Sequence, residues 1–398
     1  MTNSKQNLMI FLKCKFFLLL FACLFSNILL AQKMDSTGIT IAEIKLIHSK
    51  ILNEDRKIYV YTPVNHPEPL PIIYLMDGEM ISLVAGIVDF LYQANELPPL
   101  IIVGIGNYEY DRVRDLTTTH SLLNMDNTID SIFWKSSGGG ENFLKFIKDE
   151  LMPYVEKNYN PSPNKIFFGH SLGGLMSAYC LFNHPEMFNS YIAVSPALWW
   201  DKESIFKNSD ILIKNKDYSH KTIFFSDGNE GVVSGAEFHE SVIKLQSLLQ
   251  QKNIAGLRYK YIPYPEETHN SELVKATQDG LNFVFEHWKP AKSDTTIDLI
   301  VTFYQKRSEQ NGFQELPPEL VINEMGYKFL TTPNTLDEAI KCFELNTKNY
   351  PTSFNAYDSL GDGYSVKGDK VKAIAAYKKS IAINPNVEET LKKLKALE

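Results

Sequence analysis

Lys165-Ile-Phe-Phe-Gly-His-Ser-Leu-Gly-Gly174 is a short apolar run that breaks at a glycine and resumes with helical periodicity. Residues 166–168 read as a buried strand and residues 172–182 as a helix, so Gly169-His170-Ser171-Leu172-Gly173 falls at the turn between them. A serine held at a sharp strand-to-helix turn needs small residues two before and two after it, because its own backbone is strained and its neighbours crowd. Gly169 and Gly173 meet that need, and Gly174, Ser177 and Ala178 let the helix lie close to the sheet. The helix N-terminus beneath Ser171 supplies a positive dipole end and free N–H groups where an oxyanion would form. The stretch reads as a nucleophile elbow.

Around the elbow, apolar runs at 71–76, 100–105, 191–194, 222–225 and 259–262 are separated for the most part by helical patterns, among them 141–155, 237–249 and 273–288. In the first of these patterns Phe143, Ile147, Leu151 and Val155 form a row at four-residue spacing. Residues 41–47 and 57–61 alternate on either side of the turn Asn53-Glu54-Asp55, which makes a hairpin. Buried strands alternating with amphipathic helices imply an α/β domain with a mostly parallel sheet over residues 38–290, the hairpin being its antiparallel edge.

Past Trp288-Lys-Pro-Ala-Lys-Ser-Asp the strands stop and the pattern becomes helical. After a helical linker at 291–318, Gly326 and Gly361, Ala339 and Ala373, Phe343 and Tyr377, and Pro351 and Pro385 are offset by about 34 residues, the tetratricopeptide period. The expectation is a small all-α module of two such repeats over 319–386, with a capping helix at 387–398. Such a module suggests a protein or peptide partner, or else a brace for the preceding domain.

The chain has 398 residues, 44% of them hydrophobic and 22% charged, as a globular protein with a sizeable core requires. Its net charge of −7, with no basic block, argues against nucleic acid as a partner. At the N-terminus, Lys5, Lys13 and Lys15 precede an apolar run ending in Ala31, the layout of a secretory signal at 1–31. Cleavage after Ala31 would give a secreted or periplasmic protein with no membrane attachment; a retained anchor is the alternative, and a lipoprotein signal at Cys23 fits poorly because the apolar stretch runs on past it. Of the four cysteines, Cys14 and Cys23 lie in this segment, leaving Cys180 and Cys342 as small buried hydrophobes.

A serine nucleophile needs a base, itself oriented by an acid, and in this architecture the chain order is Ser, acid, His. Five histidines follow Ser171. His184 sits at a helix end, His239 and His287 lie within helical patterns, and His220 precedes a strand. His269 alone falls in a loop between a strand and the last helix of the domain, which makes it the expected base. The acid belongs at the end of the preceding strand, in Ser226-Asp227-Gly228-Asn229-Glu230-Gly231. Asp227 is also suited to a turn with Gly228, whereas Glu230 has the reach to meet His269, so Glu230 is preferred and Asp227 stays as the alternative. For the oxyanion, the N–H of Leu172 would be joined by that of Glu79 in Leu75-Met76-Asp77-Gly78-Glu79, a stretch that reads equally as a plain strand-ending turn. No H-E-x-x-H, paired-cysteine or acidic metal pattern and no dinucleotide fingerprint appear, so no metal or other cofactor is expected.

Leu75-Met-Asp-Gly, Val103-Gly-Ile, Arg114-Asp-Leu-Thr-Thr, Gly169-His-Ser-Leu-Gly-Gly, Ser195-Pro-Ala-Leu-Trp-Trp and Gly228-Asn-Glu together resemble the esterase D-type "putative esterase" family of α/β-hydrolases. That family holds S-formylglutathione hydrolases, feruloyl esterases, mycolyltransferases and siderophore trilactone esterases, and the Arg114-Asp115 loop with Trp199-Trp200 is most similar to the siderophore branch. Over roughly residues 40–290 the resemblance implies Ser171, Glu230 and His269 as triad, with Leu172 and Glu79 as oxyanion donors. It implies hydrolysis of a small-molecule ester through an acyl-enzyme; acyl transfer, peptide hydrolysis and a non-catalytic binding role through the repeats are the alternatives. Some siderophore enzymes work with a Ser–His pair alone, which leaves Glu230 the member least fixed by the resemblance, and the repeats depart from those single-domain enzymes. Arg114 would bind a substrate carboxylate or catecholate oxygen, or pair with Asp115 to brace its loop. Trp199 and Trp200 would stack on an aromatic acyl group or pack in the core.

Overall fold

The structure is a computed structural model that describes residues 40–63, 69–94, 96–207, 209–231, 235–286, 288 and 296–398. The signal-like segment at 1–31, His287 and the start of the linker at 291–295 lie outside the described residues. Eight strands form one sheet: β1 Glu43–Ser49, β2 Glu54–Tyr61, β3 Leu70–Leu75, β4 Ile101–Ile105, β5 Pro161–His170, β6 Ser190–Val194, β7 Lys221–Asn229 and β8 Leu257–Thr268. Their order across the sheet is β1-β2-β4-β3-β5-β6-β7-β8. The β1–β2 and β2–β4 pairs are antiparallel and all others parallel.

The central strands read as unbroken apolar runs because helices cover both of their faces; β4 and β6 are buried at every residue. At the antiparallel edge β1 leaves Ile44 and Leu46 exposed. On one face pack α1 Ile81–Gln93 and α7 Glu272–Val284, with Val84, Val88, Ala276 and Leu281 against Ile73, Phe168 and Phe224. On the other face lie α3 Gly140–Phe146 with its continuation α4 Met152–Tyr159, then α5 Leu172–Asn183 and α6 Gly235–Lys252. The row Phe143, Ile147, Leu151, Val155 is fully buried there. The helix carrying it is not regular: residues Ile147–Leu151 form a π-turn before Pro153, whose ring nitrogen has no hydrogen for the Asp149 carbonyl.

This topology dictates where a site forms. From β3 the chain crosses to β4 on one side, while from β5 it crosses to β6 on the other. The connections therefore diverge between β3 and β5 and leave a crevice at their carboxyl ends. The segments after these two strands are Asp77-Gly78-Glu79 and Ser171-Leu172.

After the sheet the described chain is helical: α8 Ile297–Asn311, α9 Glu319–Thr331, α10 Leu336–Asn349, α11 Phe354–Lys367, α12 Lys370–Ile383 and α13 Glu388–Leu397. Helices α9 and α10 pack as one hairpin and α11 and α12 as the next, with α13 on α12. Each hairpin contains the same kind of internal contact. A Cβ on Gly326 would fall 2.4 Å from the ring of Phe343, and a Cβ on Gly361 would fall 2.3 Å from that of Tyr377. Glycine at these positions lets the helices close around a buried ring. Among the described residues no helix is long and apolar enough to cross a membrane.

Candidate active site

Ser171 joins β5 to α5 with φ 59° and ψ −117°, outside the regions that side-chain-bearing residues ordinarily occupy. The turn is tight enough that a Cβ on Gly169 would lie 2.0 Å from the carbonyl oxygen of Gly173. Three backbone bonds hold it: Ser171 N–H donates to Val194, and Leu175 and Ala197 N–H donate to the Ser171 carbonyl, each at 3.0 Å. The hydroxyl itself has no hydrogen-bond partner among the described residues.

The segment after β3 is pressed against this elbow. Met76 N–H donates to the Phe168 carbonyl at 2.9 Å, and the place of a Cβ on Gly173 is 3.1 Å from the Met76 Cβ. Asp77 adopts a left-handed conformation, fully buried, and its carboxylate receives Nε and Nη2 of Arg112 at 2.7 and 2.8 Å. Gly78 has Gly104 backbone where its Cβ would be, at 2.4 Å. Glu79 turns its carboxylate away, to the N–H groups of Tyr108 and Asn107. Its backbone N–H lies in the short 3-10 turn Gly78–Met80, and that of Leu172 opens α5. First-turn amides of this kind lack an acceptor within their own helix.

Glu230 and His269 meet because of strand register. The parallel β7–β8 ladder runs past the apolar runs to Gly228 opposite Tyr264; a bulge follows, and the ladder closes at Asn229 opposite Thr268. The next residue on each strand is Glu230 and His269. His269 Nδ1 lies 2.9 Å from Oε1 and 2.7 Å from Oε2 of Glu230, whose side chain is nearly buried. The carboxylate fixes the tautomer: Nδ1–H donates to it, and Nε2 is left to accept a proton. His170, next to the nucleophile, donates Nε2–H to the His269 carbonyl at 2.7 Å and lies ring to ring with it at 4.6 Å. Burial, with His269 and Arg112 nearby, pushes the His170 pKa down to about 3, so this ring stays neutral and works as a tether. Phe238 of α6 packs edge-on against His269 at 5.4 Å.

Asp227 is turned elsewhere, accepting from His239 Nδ1 at 2.5 Å and from the Tyr261 hydroxyl at 2.6 Å. His184 caps α5 and reaches Glu141, and His220 Nδ1 donates to the Gln310 carbonyl at 3.0 Å. Arg114 takes up the bracing alternative. It donates Nε to Asp115 and both Nη groups to Glu54, in a network completed by the buried Arg56. Trp200 is core, fully buried with its N–H on Thr119. Trp199 packs on Trp134 at 6.2 Å and lines a cavity of about 240 Å³. Three residues not expected from sequence belong to this region. Arg112 holds Asp77, and Ser195 and Glu272 lie behind Glu230. Nothing in the sequence separates Arg112 from Arg114 on the same short segment, and Glu272 reads as an ordinary acidic residue of a helix first turn.

Residues 49–282 match the family described as "Putative esterase". The chain is 27% identical over 257 residues to the ferri-bacillibactin esterase BesA of Bacillus subtilis, covering 61% of this chain and 88% of that protein. Among solved structures, an IroE-like serine hydrolase from Shewanella oneidensis superposes with a TM-score of 0.70 at 25% identity, covering 77% of this chain and 99% of that one. An uncharacterised protein from Capnocytophaga ochracea matches at 15% identity with a TM-score of 0.59, covering 89% and 99%, a likeness of fold alone.

Proposed function

Because the chain belongs to the putative esterase family and is a carboxylic-ester hydrolase of the serine type, we propose that Ser171, His269 and Glu230 are its catalytic triad, with the backbone N–H groups of Leu172 and Glu79 as oxyanion hole. The observation that carries this assignment is the Glu230–His269 pair, formed where β7 and β8 end and tethered by His170, the residue beside the nucleophile.

In the first half-reaction Ser171 Oγ attacks the ester carbonyl carbon while His269 Nε2 takes the hydroxyl proton, and the former carbonyl oxygen becomes an oxyanion facing the two amides. Glu230 holds the imidazolium through Nδ1–H. Collapse expels the alcohol, which takes the proton from Nε2, and leaves an acyl-serine. Water, deprotonated by the same Nε2, attacks this ester; the second tetrahedral species releases the carboxylic acid and returns the proton to Ser171.

The name of the Bacillus relative supports siderophore esters as the class to assay first. Arg114 is committed to Glu54 and Asp115, so Trp199 is the better candidate for contact with an aromatic acyl group. The N-terminal segment is proposed as an export signal, and the module at 319–398 as a pair of tetratricopeptide repeats with a cap, after a domain ending near residue 290.

A panel of chromogenic and siderophore esters, run with and without a serine-directed fluorophosphonate, tests the reading. Ser171→Ala and His269→Ala should each lower turnover by about a thousandfold or more, since triad members act as a unit. Near wild-type turnover by folded Ser171→Ala would overturn it.

A further inference from the structure

Behind the triad acid lies a second carboxyl group with no part in the steps above. Glu272 opens α7 and is fully buried, although glutamate is almost never fully buried without a partner. Its Oε1 contacts the hydroxyl of Ser195, a buried residue held at φ 38° just after β6. The same hydroxyl lies 2.8 Å from Oε1 of Glu230 and receives the N–H of Gly228 at 3.4 Å.

A serine hydroxyl has one hydrogen to give and two lone pairs to fill. Two carboxylates facing it would compete for that hydrogen, and one contact would set lone pair against lone pair inside the protein. Placing one proton on this pair of carboxyls removes the conflict. Glu272 carries a proton on Oε1 and donates it to Ser195; Ser195 accepts from Gly228 as well and donates its own hydrogen to Glu230; Glu230 accepts from His269. The proton sits on Glu272 rather than Glu230 because Glu230 faces an imidazole, whereas no lysine or arginine pairs with Glu272 among the described residues. Oε2 of Glu272 is buried with no partner, which a neutral carboxyl tolerates better than a carboxylate does.

We therefore infer that Glu272, as a neutral carboxylic acid, is a positioning residue that aims Glu230 at His269 through Ser195. The inference rests on the triad assignment above. The groups around Glu272 agree with it: Glu230 and Asp227 at the end of β7 both disfavour a further negative charge, and Tyr261 and Tyr264 of β8 are un-ionised phenols near it. His269 and His239 lie beyond these acids, paired with Glu230 and Asp227. Burial is the main cause that pushes the Glu272 pKa up to about 8; it outweighs the hydroxyls of Ser195 and Ser226, which act in the opposite direction, and the two neighbouring acids add to the rise.

The sign of the linkage gives a test independent of turnover. A carboxyl whose pKa is higher folded than unfolded contributes its stability fully below the unfolded value and loses it as pH rises towards the folded one. Removing that carboxyl should therefore help the fold more at about pH 8 than at about pH 4.5. Melting temperatures of wild type and Glu272→Gln, a neutral amide that can still donate to Ser195, should accordingly diverge in favour of the variant as pH rises over that interval. On a small ester, Glu272→Ala and Ser195→Ala should each lower kcat by about tenfold with KM little changed, and the double variant should be no worse than either single one. Glu272→Gln should recover most of the loss and lack the wild-type decline in kcat above about pH 8. A melting-temperature difference that does not change with pH, together with a Glu272→Gln pH–rate profile superimposable on wild type, would overturn the inference. Should the triad assignment fail instead, Ser171→Ala would remain active, an outcome the Glu272 variants cannot produce.

Discussion

Ser171 holds a backbone conformation that costs about 1–3 kcal/mol for a residue with a side chain, and the fold sustains it with three backbone bonds and a glycine on either side. The two carboxylates at the end of β7, three positions apart, show how place along a strand end separates roles. Asp227 points at His239 and Tyr261, and Glu230 points at His269. Glu230→Gln should lower kcat by about a hundredfold or more, since an amide cannot hold the imidazolium as a carboxylate does. Asp227→Asn keeps an oxygen for Tyr261 and should stay within about threefold of wild type. Steady-state kinetics on one ester, with both variants checked for folding, decides it; the reverse ranking would move the acid to Asp227. At this scale sequence offers a reading where chemistry restricts residue type and chain order, which is the basis on which Ser171 and His269 are proposed. It could not be read where contact partners decide. Arg112 and Arg114 lie on a helix of five residues, α2 Arg112–Leu116, two positions and therefore about 200° apart. Which of them braces the Glu54 network and which holds Asp77 depends on strands far away in the chain.

The elements were legible in proportion to how plainly burial marks them. Central strands and the helices α5, α6 and α7 follow from apolar runs and periodicity. The extensions of β7 to Asn229 and β8 to Thr268 do not, because Ser226-Asp227-Gly228-Asn229 are poor strand formers that the parallel ladder keeps extended, and Pro265-Glu266-Glu267 are the unpaired bulge between Tyr264 and Thr268. The approach of Glu230 to His269 depends on that extension. In the helical module the glycine–ring contact is the feature that repeats. Gly361→Ala gains about 1 kcal/mol of helix propensity but drives a methyl group into the Tyr377 ring, an overpacking worth about 1–3 kcal/mol. Tyr377 cannot easily retreat, because its hydroxyl donates to Asp362 at 2.7 Å. With the ring held in place the upper end of that cost applies, and the net expectation is a loss of about 2 kcal/mol, read as a lower denaturant midpoint for the helical signal, with ester hydrolysis below the transition unaffected. An unchanged or raised midpoint would show that the hairpin is looser than its geometry indicates.

Over the whole molecule, the alternation of strands and helices was enough to place the chain in its fold class, whereas the joint between the sheet and the helical end rests on contacts that no local pattern announces. That joint is largely polar. His220 Nδ1 donates to the Gln310 carbonyl, Arg307 donates to the Trp288 carbonyl while pairing with Glu315, and the His220 ring packs where a side chain on Gly312 would be. A cavity of about 310 Å³ remains between the parts, lined in part by Phe285, Trp288 and Arg307. It opens at the amino ends of the parallel strands, close to Lys221 and Gly256, and the carboxyl ends that carry Ser171, Glu230 and His269 are at the opposite edge of the sheet. A polar, incompletely filled joint remote from Ser171, Glu230 and His269 should transmit little to the chemistry proposed for them. A chain ending at residue 290 is thus expected to hydrolyse a small ester within about threefold of the full-length rate, while uncovering Phe285 and Trp288. Its solubility should fall and its binding of an apolar dye rise. A chain ending at residue 316 keeps α8 but leaves Ile297 without Ile322 and Cys342 to pack against, so it should be the less soluble of the two. Assays of the three proteins on one ester, beside light scattering and dye binding, separate these outcomes. If the shorter chain stays folded yet loses as much activity as Ser171→Ala does, the helical end must contribute to the active site, and the division of the chain near residue 290 would have to be abandoned.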